Sequence, residues 1–290
     1  MKEDFCLSIK KEYASLLEAL EDLMGISGRQ FRRMIRQRLV EIDGAFPARP
    51  GVIHPGSVIT IRFPDETIEY PAESIPLDVL YEDEDMLAVN KPPYMLTHPS
   101  REVFTGTLAN AIAGYFQEIG LKRKARFVNR LDMNTSGIVL IAKHSYAHQQ
   151  LSDQEKIKTY QALVEGMPSS EGIIEAPIAR DSVEGSVKRI VHPDGKPSKT
   201  GWKRLDTNGK VSLLEVRLYT GRTHQIRVHL THKGWPILGD SLYGHEEMAP
   251  RQMLHAASLV LQSIRTKEEV FIEASIPDDF RKILTDHQSL

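Results

Sequence analysis

The chain has 290 residues, enough for one large domain or a small domain followed by a large one. Hydrophobic residues make up 41%, which suits a soluble globular protein, and no apolar run approaches the roughly 18–20 residues that span a bilayer. The net charge of −2 argues against a nucleic-acid ligand, but its distribution reverses that: residues 28–63 hold seven arginines, whereas residues 64–85 hold nine acidic residues and no Lys or Arg.

The opening residues lack the charged-then-apolar layout of a secretory signal. Cys6 is the sole cysteine, which excludes an internal disulfide and a cysteine zinc site, so a cytoplasmic protein is expected. Leu16, Leu17, Leu20, Leu23 and Met24 recur at helical spacing before Gly25. Ser27 is placed to cap a second helix with an apolar stripe of Phe31, Met34, Ile35 and Leu39. Arg29, Arg32, Arg33 and Arg36 fall at i, i+3, i+4 and i+7 on another face. Such a stripe is either a solvated basic face or a phosphate-binding one. Val40 to Ile42, an Asp43-Gly44 turn, and Val58 to Phe63 read as short strands. The acidic stretch 64–76, interrupted by Pro64, Pro71 and Pro76, reads as a linker to a domain spanning 77–290.

In that domain Met86 to Val89 reads as a strand ending at Asn90-Lys91-Pro92, and Thr107 to Phe116 as an amphipathic helix. The run Arg126-Phe127-Val128-Asn129-Arg130-Leu131-Asp132-Met133-Asn134-Thr135-Ser136-Gly137 is the most informative of the chain. It places Asp132 just after an arginine and before a tight turn that leads into the apolar strand Ile138 to Ile141. Fixed catalytic carboxylates tend to sit on such loops, although Asp, Asn, Ser and Gly are also ordinary turn residues. Ser145 to Gln154 reads as a helix and Tyr160 to Glu165 as a strand. Residues 211–219 alternate as a half-buried strand, and Arg222 to Leu230 looks helical. Strands outnumber helices without regular βαβ alternation. The predicted fold class is therefore α+β with a mixed, largely antiparallel sheet.

Six motifs in order carry a resemblance. They are Asn90-Lys91-Pro92, Arg130 to Gly137, Lys158-Thr159-Tyr160, Gly221 to His229, Leu238 to Gly244, and Leu254-His255-Ala256. Together they resemble the RluA-type family of RNA pseudouridine synthases over about residues 77–277, with Asn129 standing where many relatives carry His. The front of the chain, about residues 12–63, resembles the S-four-like RNA-binding module, whose arginines would position phosphates rather than read bases.

The resemblance implies that uridine in RNA is cut at the bond from its nitrogen 1 to ribose, turned, and rejoined through carbon 5. No group is gained or lost, so no cofactor is expected, and the sequence has no glycine-rich phosphate loop. Asp132 is the implied catalytic group. It attacks ribose, attacks the base, or removes a sugar proton, the last being preferred. The family pattern assigns the guanidinium that keeps Asp132 ionised to Arg222, the alternative being a surface or phosphate contact. It assigns the stack on the extruded uracil to Tyr160, the alternative being a packed strand tyrosine. Arg130 would fill the space left by the base, or make a plain basic contact. His224, His229 and His232 match no familiar metal spacing, and no metal is expected. His255 reads as structural.

Large-subunit ribosomal RNA is the expected substrate, with transfer RNA as the alternative. A non-catalytic RNA-binding or ribosome-assembly factor would require damage at Asp132, Arg222 or Tyr160, and none is present. A glycoside hydrolase would need a second carboxylate, for which Asp240 is the sole motif-embedded candidate. No membrane or protein partner is implied.

Overall fold

Residues 4–47 and 51–288 are described by a computed structural model, the side chains of 284 and 286–288 excepted. The chain divides into two units, Met1–Glu66 and Thr67–Leu290. In the first, β1 (Phe5–Ser8) is followed by α1 (Leu16–Met24), α2 (Gly28–Arg36), β2 (Val40–Ile42) and β3 (Val58–Ile61). The three strands form an antiparallel sheet in the order β1-β3-β2. Helix α1 starts where the Ser15 hydroxyl accepts the Glu18 N–H, and it ends at Gly25, whose φ of +66° suits a residue without a Cβ. Its Leu16, Ala19, Leu20 and Met24 are buried. Helix α2 opens with a reciprocal capping box between Ser27 and Gln30. None of its residues is buried, and Arg29, Arg32, Arg33 and Arg36 are all exposed.

Two boundaries differ from the sequence reading. The first unit begins ahead of residue 12, because β1 pairs with β3 from Phe5↔Ile61 to Ser8↔Val58. Four residues are too few for an alternation to stand out. The segment read as a linker up to residue 76 belongs to the second unit from Thr67 onward. There the Asn110 side chain donates to Pro71 O, and the Glu73 carboxylate accepts the Gly106 N–H. Glu73 also donates its backbone N–H to Asn110 O. Proline and acid mark an irregular chain here, but one fixed by side-chain hydrogen bonds.

The second unit runs β4 (Val79–Glu82), β5 (Met86–Lys91), α3 (Leu108–Glu118), β6 (Arg126–Phe127), β7 (Ser136–Ala142), α4 (Ser145–Asp153), β8 (Ile157–Glu165), β9 (Glu171–Glu175) and β10 (Ile178–Arg180). It continues with β11 (Arg189–Val191), β12 (Lys199–Thr207), β13 (Val211–Leu218), α5 (Gln225–His232), β14 (Leu254–Gln262), β15 (Glu269–Glu273) and α6 (Asp278–Gln288). Strands β10 and β11 form a separate hairpin, and the rest make one sheet in the order β4-β5-β7-β14-β8-β13-β12-β9, with β15 on β14 and β6 on β7. The α+β class with a mixed, mostly antiparallel sheet is the one expected. Leu87, Val89, Val139, Ile141, Leu214 and Val216 lie at the centre of its core.

One pairing between named strands is parallel, His255↔Ser136 and Ala256↔Gly137, between β14 and β7. It decides where the Asp132 loop enters the sheet. A Cβ on Gly137 would stand 2.2 Å from Ala256 O, at a φ of +109°, so only glycine lets the two backbones approach. His255 locks the same junction. Its Nε2 donates to Ala274 O, and its Nδ1 accepts from Ser136 Oγ, as the structural reading of that histidine expects.

Candidate active site

The Asp132 loop bridges β6 and β7, and its backbone is held at four consecutive carbonyls. Thr97 Oγ1 donates to Leu131 O, Thr135 N to Asp132 O, Lys91 Nζ to Met133 O, and Arg251 Nη1 to Asn134 O. On the upstream side, Asn129 donates to Ile138 O and accepts from Leu140 N, so its amide extends the strand ladder. That is a backbone-like role for the position where the family pattern has His. Lys91 is fully buried and also donates to Pro92 O and Met95 O, so three carbonyls face its three N–H donors. Burial, then the charge of Arg251, pulls its ammonium down to about 7, while Asp132 pulls the other way.

Arg227, on α5, is the guanidinium at Asp132. Its Nη1 donates to Asp132 Oδ2 at 2.8 Å, while Nε and Nη2 grip Asp240 Oδ2 and Oδ1 at 2.7 Å each. Asp240 is fully buried and accepts the backbone N–H groups of Leu242 and Tyr243 as well. Burial disfavours the guanidinium charge, but the hydrogen bonds and charge of Asp240, with those of Asp132, more than offset this and hold it above its ordinary range. Two carboxylates share one cation, so the trio carries net negative charge. Asp240, chelated and capped, is fixed in place. Asp132 is half-buried, and among the described residues its Oδ1 accepts no hydrogen bond; His224 Nε2 lies 3.7 Å from it. A free carboxylate oxygen on a rigid loop is suited to accepting a proton or attacking carbon.

Asp132 opens into a cleft of about 380 Å³ lined by Thr97, His98, Arg130, Asn134, His224 and Arg227, among others. Arg130 is exposed on this wall. Tyr160 is not on it. It sits in the core on β8, opposite Val216 and Ala256, against a small cavity of about 10 Å³ shared with Asn129, Ile138 and Lys158. Burial, then the charge of Asp132, pushes its phenol far above the ordinary range, so it stays protonated.

The arginine expected beside Asp132 is corrected. Arg222 is exposed before α5 and donates through Nε to Pro197 O, whereas Arg227 takes the ion pair. The helix starts at Gln225, three residues later than the sequence reading put it, and this changes which arginine turns inward. A usable signal existed: Gln225, Arg227 and His229 alternate with Ile226, Val228 and Leu230, and all six are buried. A buried arginine demands a carboxylate, and two motif aspartates were on offer. His229 is committed to Ala176 O and Thr200 Oγ1, and His224 reaches Tyr243 Oη at 2.9 Å.

Residues 85–232, half of the chain, match the family described as RNA pseudouridylate synthase. An uncharacterized RNA pseudouridine synthase of Chloroflexus aurantiacus is 43% identical over 93% of this chain and 87% of its own. Ribosomal large subunit pseudouridine synthase D of Haemophilus influenzae is 36% identical over 78% of this chain and 75% of its own. Among solved structures, human RNA Pseudouridylate Synthase Domain Containing 1 superposes with a TM-score of 0.57 at 25% identity, covering 76% of this chain and 98% of that one. No described helix is long and apolar enough to cross a membrane. A cleft built round one arginine-held aspartate, on a fold and sequence shared at this level, leads to one conclusion: the chain belongs to the RNA pseudouridine synthases and is an RNA-modifying isomerase of the RluA type.

Proposed function

We propose that the chain isomerises uridines of large-subunit ribosomal RNA through Asp132, with Arg227 pairing with that carboxylate and holding it in place. The observation that carries the catalytic reading is Asp132 itself, a cleft-lining carboxylate with one oxygen bonded to Arg227 and the other accepting no hydrogen bond among the described residues. Asp240 belongs to the frame rather than the reaction, since its oxygens are spent on Arg227 and two backbone N–H groups. Every atom of uridine is conserved, so the reading calls for no cofactor. Arg130 meets phosphate or base at the rim. Tyr160 lies in the core away from the Asp132 cleft, so stacking on uracil would require it to shift.

The choice of RNA is supported by relatives named ribosomal large subunit pseudouridine synthase D in Haemophilus influenzae and Pseudomonas aeruginosa. Such a substrate places the enzyme in the cytoplasm. The first unit, with its capped helix and exposed Arg29, Arg32, Arg33 and Arg36, serves as an S-four-like RNA-binding module whose charges meet phosphates. Mapping pseudouridines in cells that lack the gene tests the whole reading. One or more positions in large-subunit RNA revert to uridine and return with the wild-type gene but not with Asp132→Asn. Loss confined to transfer RNA would contradict the substrate.

A further inference from the structure

His224 combines four features that the ion trio does not account for. It lines the cleft with Asp132. It holds a left-handed backbone, φ +57° and ψ 19°, uncommon for a residue with a Cβ. It occupies the N-cap position of α5, where its carbonyl accepts the Val228 N–H, yet its side chain makes no capping hydrogen bond and is left for the cleft. Its ring is also held from behind. Tyr243 Oη accepts the Arg189 backbone N–H at 2.7 Å and lies 2.9 Å from His224 Nδ1. With one lone pair of the phenol oxygen taken by that N–H, the phenol hydrogen is free to donate to Nδ1, and in that arrangement Nδ1 is the unprotonated acceptor. The proton of a neutral imidazole is thereby left on Nε2, 3.7 Å from the open Oδ1 of Asp132.

We infer that His224 is a positioning residue for the reaction. In this assignment, Tyr243 fixes His224 as the Nε2–H tautomer, and that N–H closes onto Asp132 Oδ1 once uridine fills the cleft. The inference rests on the reading of Asp132 as the catalytic group. Burial lowers the imidazole, Asp132 and Asp240 draw it up, and Arg227 and Arg189 push it down; the net is lowered, so the neutral ring that the tautomer argument needs is favoured. Hydrogen bonds at catalytic centres are often long without substrate and tighten in the complex. With Arg227 on Oδ2 and His224 on Oδ1, the carboxylate plane would be set from both sides, leaving one lone pair of Oδ1 for the sugar–base junction. His224 neither gains nor loses a proton over the cycle.

The test uses the full chain and bulk RNA from a strain lacking the gene, grown on uridine tritiated at carbon 5. Single-turnover tritium release and RNA retention on a filter are both read. His224→Ala, and His224→Gly in case the strained backbone rejects alanine, slow release about 100-fold, the loss typical of one preorganised donor, with RNA retention within about threefold. His224→Gln, whose Nε2–H reaches the same place, restores release to within about tenfold of wild type. Tyr243→Phe slows release in the wild-type background but not beside His224→Gln, because an amide has no tautomer to fix. Release at the wild-type rate in His224→Gly, or a Gln variant as slow as the Ala one, overturns the inference. So does an equal effect of Tyr243→Phe in both backgrounds. Asp132→Ala is run alongside: turnover there removes the Asp132 reading and this inference together, while a dead Asp132→Ala beside a fully active His224→Gly removes this inference alone.

Discussion

Arginine is used in opposite ways by the two units of this chain. On α2, four guanidinium groups stand on an exposed face of a helix with no buried residue, and a phosphate backbone would find them as a field rather than as a fixed geometry. On α5, Arg227 is almost fully buried, and its N–H groups are shared between Asp132 and Asp240 at 2.7–2.8 Å. A solvated charge can be moved by one helical turn at little loss, whereas a buried one is defined by its partners and cannot.

Beside the aspartate itself, the largest effect should come from Arg227. Arg227→Ala strands Asp240 in the core and is expected to cost about 3–5 kcal/mol of stability, read by denaturant unfolding. Arg227→Lys keeps the charge but cannot hold two carboxylates with one ammonium, so the protein should fold and release tritium roughly 100-fold more slowly. Near-normal turnover in the lysine variant would mean that fork geometry is unimportant here.

Next comes acid. His229 and His255 are fully buried and His144 nearly so, and burial lowers all three, opposed in part by hydrogen bonds to Ala176, Ala274 and Asp85 respectively. Their folded pKa values lie below the unfolded value of about 6.5, so on acidification the unfolded chain takes up protons that the native one refuses. Their stabilising contribution is complete above about pH 6.5 and is lost as pH falls through the lowered values. Hydrogen exchange should therefore accelerate as pH falls below about 6.5, after correction for its intrinsic rate, in the second unit and not in the first. The first unit's His54 is exposed. Equal loss in both units would contradict the assignment.

Replacing Arg29, Arg32, Arg33 and Arg36 together by alanine should weaken RNA binding roughly 10–100-fold and flatten its salt dependence, while single-turnover release at saturating RNA holds. The smallest effect belongs to Arg222→Ala, for which release should change less than about threefold, since its side chain meets one exposed carbonyl. A collapse in that variant would restore the role that the sequence reading gave it.

What was legible in the sequence follows the same division. Patterns that depend on neighbours along the chain were readable: the Ser27 cap, the arginine stripe, the Ile138–Ile141 strand, the alternation in β13. The Asp132 loop was readable as a turn leading into a buried strand because its residues are contiguous. What failed depended on distant partners. The pattern of residues 225–230 hinted at Arg227, but choosing it over Arg222 needed α5 to start at Gln225 and Asp240 to lie opposite. Tyr160 matched its motif, yet it pairs with Val216 on β13 and Ala256 on β14, off the cleft wall. Strand β1 was missed because its partner β3 lies some fifty residues downstream.

The central claim is that Asp132 does the chemistry and does not merely hold RNA. The direct test is single-turnover release of tritium from carbon-5-labelled RNA by Asp132→Asn, with RNA affinity measured on the same preparation. The account predicts no detectable release and affinity within a few-fold of wild type. Release at a substantial fraction of the wild-type rate by a folded, RNA-binding Asp132→Asn enzyme would contradict it.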